Sequence, residues 1–191
     1  TIGCRLELSN NLGEWGLTIH QDKSSSLQFL GQLGLPIYGP HSRAAIDYRY
    51  DGLFGFWNES AFISSNKSKI RLMTIGADYT LPISNGILIM TETMHLSNQF
   101  EDKKSDQIHT AFMANLPIGI NHMVTYIAQL DWNQEKSYYY VRWNSTFDSY
   151  NLNMILSLNP KRNQFDIPIS ELPDSIIGFG TGIQMMLIYN Y

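Results

Sequence analysis

Along most of this chain apolar and polar residues alternate one by one, and few segments repeat every three or four residues. Neighbouring side chains of a strand point to opposite faces, so the alternation reads as a series of two-faced strands. The last stretch, 178–191, is a clear case. Phe179, Thr181, Ile183, Met185, Leu187, Tyr189 and Tyr191 share one face, apolar and ending in two aromatics. Gly178, Gly180, Gly182, Gln184, Met186, Ile188 and Asn190 share the other, small or polar apart from Met186 and Ile188. Such a strand exceeds the usual length of about five or six residues and reaches the roughly 9–11 that a tilted strand needs to cross a bilayer.

The same pattern predicts strands near 2–9, 14–21, 26–31, 43–50, 53–63, 69–81, 86–97, 107–116, 122–132, 137–147, 150–159 and 176–191, about twelve in all. Asp51-Gly52 and Asp148-Ser149 are hairpin signals. Leu81-Pro82-Ile83-Ser84-Asn85-Gly86 and Leu116-Pro117-Ile118-Gly119-Ile120-Asn121 read as two copies of one tight turn, and the link at 22–25 is also short. The links at 31–42, 64–68, 97–106, 133–136 and 159–175 are longer and more polar. Short and long links thus alternate from about residue 22 onward, which a Greek-key sandwich has no reason to do.

Composition narrows the class. The 191 residues suffice for one domain, taken as 1–191. With a net charge of -4, nothing points to nucleic acid, and no nucleic-acid partner is expected. Aromatic residues make up 13% and charged residues 16%, and Cys4 is the single cysteine, so no internal disulfide framework forms. No apolar run approaches the roughly twenty residues of a membrane helix, but a barrel hides its lipid face in alternation. The opening TIGCRLELS is already strand-like, which fits a mature chain or one lacking N-terminal residues.

Ile183, Met185, Leu187, Tyr189 and Tyr191 make the C-terminal strand resemble the closing strand of bacterial outer-membrane β-barrels. The resemblance implies an antiparallel up-and-down transmembrane barrel in a Gram-negative outer membrane, porin-like, with short turns and both termini on the periplasmic side. Its partners would be outer-membrane lipid and other membrane or surface proteins; the residues themselves point to no cofactor and no metal.

Within such a barrel the apolar faces meet lipid. They carry Trp15, Leu17 and Ile19; Ala44, Ile46, Tyr48 and Tyr50; Val124 to Trp132; Tyr139 to Phe147; and Tyr150 to Leu158, taking alternate residues. An Arg or Lys on the lipid face costs about 2–4 kcal/mol at mid-membrane, so charged faces point inward. That assigns Arg5, Glu7, Asp47, Arg49, Glu59, Asp78, Glu92, Asp131 and Arg142 to the lumen. These charges either pair and stiffen a narrow barrel or line a water-filled path with mild cation preference.

One constellation could carry chemistry. On strand 86–97, Glu92 marks the lumenal face, which puts His95 and Ser97 on the lipid side near the outer rim. A His and a Ser two apart on a strand share a face, the minimum for a base-activated hydroxyl. His95-Leu96-Ser97-Asn98 resembles the His-x-Ser-Asn of outer-membrane phospholipase A and of the lipid A deacylases. The resemblance makes Ser97 the nucleophile and His95 the base. Those families carry an orienting residue on the next strand, where Asp106, or less well Gln107, could serve; Gln99 replaces the Gly that often follows the motif. His95 also fits a plain interfacial residue, with Ser97-Asn98 opening the loop. His20 and His109 fall on lumenal faces, His41 in a loop and His122 at a strand start, none with metal-ligand spacing. The segment 165–174, with two prolines, could fold inward or bind a partner.

Three functions fit these residues: passive passage of small solutes or a surface scaffold; a lipid hydrolase using Ser97 and His95; and a soluble all-β binding domain.

Overall fold

The computed structural model describes residues 1–24, 27–30, 35–159 and 181–189, and among them the chain is all β, without a helix. The strands are β1 (Ile2–Asn10), β2 (Gly13–Asp22), β3 (Leu27–Leu30), β4 (Leu35–Tyr38), β5 (His41–Asp51), β6 (Gly55–Ser65), β7 (Ser68–Leu81), β8 (Ile87–Phe100), β9 (Lys103–Ile118), β10 (His122–Asp131), β11 (Lys136–Thr146), β12 (Tyr150–Leu158) and β13 (Gly182–Tyr189). Eleven of them hydrogen-bond in the order β1-β2-β5-β6-β7-β8-β9-β10-β11-β12-β13, while β3 and β4 form a two-stranded ribbon of their own. Sheet order follows chain order, the up-and-down topology that hairpins generate. The residues fall into two compact units, Thr1–Asp78 with Glu92–His109 and Tyr79–Thr91 with Thr110–Tyr191.

In the first unit the ladders from β1 to β7 are antiparallel. Leu6 lies opposite Leu17, Leu17 opposite Ile46, Ile46 opposite Ser60, and Ser60 opposite Met73. Cross-strand partners share a face, so one apolar face holds these residues together with Trp15, Ile19, Tyr48, Phe62 and Ile75. The described residues leave it uncovered: Leu6 is 65% and Ile19 56% exposed. Near the β1–β2 and β5–β6 turns the face ends in aromatics, with Trp15 and Tyr48 centroids 4.1 Å apart and Tyr48 and Phe56 6.0 Å apart.

The opposite face of this unit is polar over β1, β2 and β5. Arg5 forks onto both carboxylate oxygens of Asp47 at 2.8 and 2.9 Å, and also reaches Glu7 Oε1 at 2.6 Å and Thr18 Oγ1 at 2.9 Å. Gly16 makes this possible, since a Cβ there would stand 2.2 Å from Asp47 Oδ2. Toward the other end the same face turns apolar. Ile37 of the ribbon is fully buried against Ile63, Ile70 and Leu96, with Leu72 packed alongside. The ribbon therefore covers the end of this face that carries the β6–β7 and β8–β9 turns. Those turns are tied together: Glu101 N–H donates to Lys67 O at 2.9 Å and Lys67 Nζ approaches Glu101 Oε1 at 3.5 Å.

The second unit repeats the two-faced design. Val124 lies opposite Trp143, Trp143 opposite Met154, and Met154 opposite Met185. Thr125, Arg142, Ile155 and Gln184 form the corresponding row on the other face. There Arg142 donates twice to the buried Asn153 Oδ1, at 3.0 and 2.5 Å. At the end carrying the 147–149 turn, Phe147 stacks on Tyr150 with centroids 4.5 Å apart.

Several expectations are corrected. The sheet has eleven strands among the described residues, because the strand expected at 26–31 pairs with β4 in a separate ribbon. The links expected to be long at 64–68 and 97–106 are two-residue turns, since β6 ends at Ser65, β7 begins at Ser68, β8 ends at Phe100 and β9 begins at Lys103. Strict alternation of short and long links therefore fails. Ser97-Asn98 lies inside β8 and opens no loop, and His41 begins β5 instead of lying in a loop. The turn at Asp51 spans Gly52 to Phe54, with Asp51 opposite Gly55. The two Leu-Pro-Ile turns differ: Pro82 and Ile83 lie in the connection, whereas Pro117 and Ile118 stay in β9. They do meet, as Asn85 Nδ2 donates to Gly119 O at 3.0 Å. Phe179 and Tyr191 of the terminal strand, and the 165–174 segment, lie outside the described residues.

Candidate functional site

The β8–β9 hairpin brings the expected pair together with a carboxylate. Counting outward from the two-residue turn at Glu101-Asp102 sets Asp106 across from Ser97. The side chains agree with that count: the Ser97 hydroxyl donates to the Asp106 carboxylate. His95 Nε2 lies 3.6 Å from Asp106 Oδ1, and Lys104 Nζ lies 2.7 Å from Asp106 Oδ2. Ser97 is buried, while the side chains of His95 and Asp106 are 42% and 40% exposed.

Glu92 locates this cluster on the sheet. Trp57 Nε1 donates to Glu92 Oε2 at 3.0 Å, so Glu92 shares the face of Trp57 and Glu59. His95 and Ser97 are an odd number of residues from Glu92 and project to the other face, that of Phe62 and Met73. There they border an open pocket of about 700 Å³. Its floor is apolar, with Leu17, Ile46, Phe62 and Met73 among the lining side chains. Its polar end holds His95, Ser97, Lys104, Asp106 and Arg71, whose guanidinium carbon stands 5.7 Å from the centre of the Phe62 ring.

Chemically, a hydroxyl, an imidazole and a carboxylate on one small surface are the parts of a nucleophile–base–orienter set. Asp106 is the hub here, and both Ser97 and His95 reach it.

The other expected site residues lie where ladder parity puts them. Arg5, Glu7, Asp47, Arg49, Glu59, Asp78 and Glu92 share one face of β1 to β8, opposite to His95 and Ser97. Arg49 pairs with Asp51 at 3.0 Å, and a Cβ at Gly55 would stand 2.6 Å from Asp78. In the second unit Asp131 and Arg142 share the face away from Trp143. Asp131 Oδ1 caps its turn, accepting from the backbone N–H of Asn133 and Gln134 at 3.0 Å each.

Sequence reasoning missed a second His–Ser pair. His122 Nδ1 lies 2.7 Å from Ser145 Oγ, its cross-strand partner, between the rings of Trp143 and Phe147. Ser145 is 2% exposed, and no ion pair to His122 is present among the described residues. This pair is packing, and only knowledge of the β10–β11 register could have located it. His41, by contrast, is buried, and its Nε2 accepts from Arg43 Nε at 3.1 Å.

The chain matches no protein-family model, no curated protein and no solved structure.

Proposed function

We propose that this chain is a bacterial outer-membrane β-barrel whose lipid-facing surface carries a serine hydrolase site for lipid esters. The observation that carries the reading is the meeting of Ser97, His95 and Asp106 beside an apolar-floored pocket on the exposed apolar face. Ser97 Oγ attacks the acyl carbonyl while His95 takes its proton. His95 returns the proton to the departing alcohol, and water then releases the fatty acid from Ser97 by the reverse relay. Asp106 orients the imidazole, and contacts of this kind tighten when substrate binds.

The membrane part of the reading is supported by the uncovered apolar face in each unit and by the aromatic clusters at its turn end, as in interfacial girdles. The antiparallel ladders and the chain-order topology among the described residues are those an up-and-down barrel is built from.

The test is fatty-acid release from phospholipid or lipopolysaccharide by purified protein folded into detergent. Release that Ser97→Ala abolishes supports the hydrolase, and no release from either lipid retires it.

Solute passage or a surface scaffold is the second reading, favoured by the charged, Arg5-centred face as a lumen lining. The ribbon over Ile63 and Ile70 supports the scaffold form of it, with a narrow or stoppered lumen.

A further inference from the structure

Among the described residues around the Ser97 cluster, the cations Lys69, Arg71 and Lys104 outnumber the one carboxylate, Asp106. The apolar face presents Lys69 opposite Ser64 and Arg71 opposite Phe62 on the β6–β7 ladder. Lys104 approaches from β9. Among the described residues, Lys104 pairs with Asp106, whereas no carboxylate pairs with Arg71 or Lys69. The guanidinium of Arg71 rests instead against the edge of the pocket above Phe62. An arginine with no carboxylate partner on a largely apolar face is costly in hydrocarbon, and an anion that meets it offsets that cost.

The pocket is therefore graded. One end is a floor of Leu17, Ile46 and Met73, suited to an acyl chain. The other is a pair of cations within the same pocket as the hydroxyl nucleophile. An amphiphile that satisfies both ends has a fatty acyl ester and an anionic head next to it. Arg in particular presents a planar fork that matches the oxygens of a phosphate.

Resting on the hydrolase reading, we propose that Arg71 and Lys104 select the substrate by binding the phosphate of an anionic ester lipid, so that a net-negative phospholipid is held and cleaved in preference to a zwitterionic one. Lys104 has a second consequence. Drawn to the lipid phosphate, its ammonium leaves Asp106 Oδ2, and the carboxylate turns to His95, so that the correct head completes the relay.

The experiment uses dioleoyl phosphatidylglycerol and dioleoyl phosphatidylcholine, identical in their chains. Native mass spectrometry of Ser97→Ala protein in detergent counts lipid bound at equal concentrations, and fatty-acid release by the unaltered protein gives the ratio of kcat/KM for the two. The expected preference for phosphatidylglycerol is roughly tenfold in both, the scale of one charge-assisted contact. Arg71→Gln with Lys104→Gln reduces the bound-lipid ratio toward one; Arg71→Lys keeps part of it. Equal binding of the two lipids by Ser97→Ala protein, or a preference untouched by the double substitution, overturns the proposal. Selective binding without hydrolysis of either lipid retires the hydrolase while leaving the anion site in place, so the two failures are distinguishable.

Discussion

Trp57 reaches across a whole strand to hydrogen-bond Glu92, 3.0 Å from Nε1 to Oε2. The strand between them is β7, and the residue under the indole is Gly76, which pairs with Trp57 in the ladder. A Cβ at Gly76 would stand 2.1 Å from the ring. Glycine is thus required there by the neighbour. It lets one rigid ring tie three strands together and gives the Glu92 carboxylate a donor.

From this relationship, Gly76→Ala displaces the indole and breaks its bond to Glu92. The expected loss is about 1–3 kcal/mol, the usual cost of overpacking, read from urea unfolding in detergent. Trp57→Phe keeps an aromatic ring but removes the donor and part of the cover over Gly76, and costs a similar amount because Glu92 loses its partner. Stability unchanged in both variants would mean the indole bond is idle.

Asp106→Asn keeps the shape of the cluster but changes what the carboxylate can orient. Ester hydrolysis is expected to fall by about 10²- to 10⁴-fold in kcat, with KM little changed. Gln107→Ala serves as the comparison and leaves the rate near its starting value, because Gln107, one residue on from Asp106, projects to the opposite face. Equal losses in the two variants would remove Asp106 from the orienting role.

Ile37→Ala loosens the ribbon from the sheet. The buried Ile37 fills the space between Ile63, Ile70 and Leu96, so truncation costs about 2–5 kcal/mol of docking. Amide hydrogen exchange should rise over β3 and β4 before it rises in β5 and β6. If the barrel reading holds, ion conductance in planar bilayers also rises. Exchange that rises everywhere at once would make the ribbon part of the global fold and no separate cover.

How far the sequence could be read follows from the same residues. Facing was legible because a strand has a period of two, and a single charge fixes the phase: Glu92 alone assigned His95 and Ser97 to the other side. The position of Asp106 was legible only as a candidate, because it depends on turn length. The charged run from Glu101 to Asp106 reads as a loop, yet a tight turn can bear charge when one residue accepts positive φ, as Glu101 does at 51°. β4 was hidden by Pro36, which suggests a loop but is tolerated in a two-stranded ribbon, where each strand has an unpaired edge. Among the described residues the main sheet holds eleven strands and not about twelve because β3 pairs with β4, and alternation shows that a segment is extended and never shows which sheet it joins.

The claim beneath every functional step is that the face of Leu17 meets hydrocarbon and the face of Thr18 does not. In a Cys4→Ser background, Leu17→Cys and Thr18→Cys each carry one spin label, with the protein folded into phospholipid bilayers. Collision rates with oxygen, which concentrates in lipid, and with a water-soluble nickel chelate then report each environment. The expected result is a label at Leu17 that is rich in oxygen collisions and shielded from nickel, with no such signature at Thr18. Nickel collisions dominating at Leu17, or indistinguishable environments at both sites, would contradict the membrane assignment and the lipid hydrolase built on it.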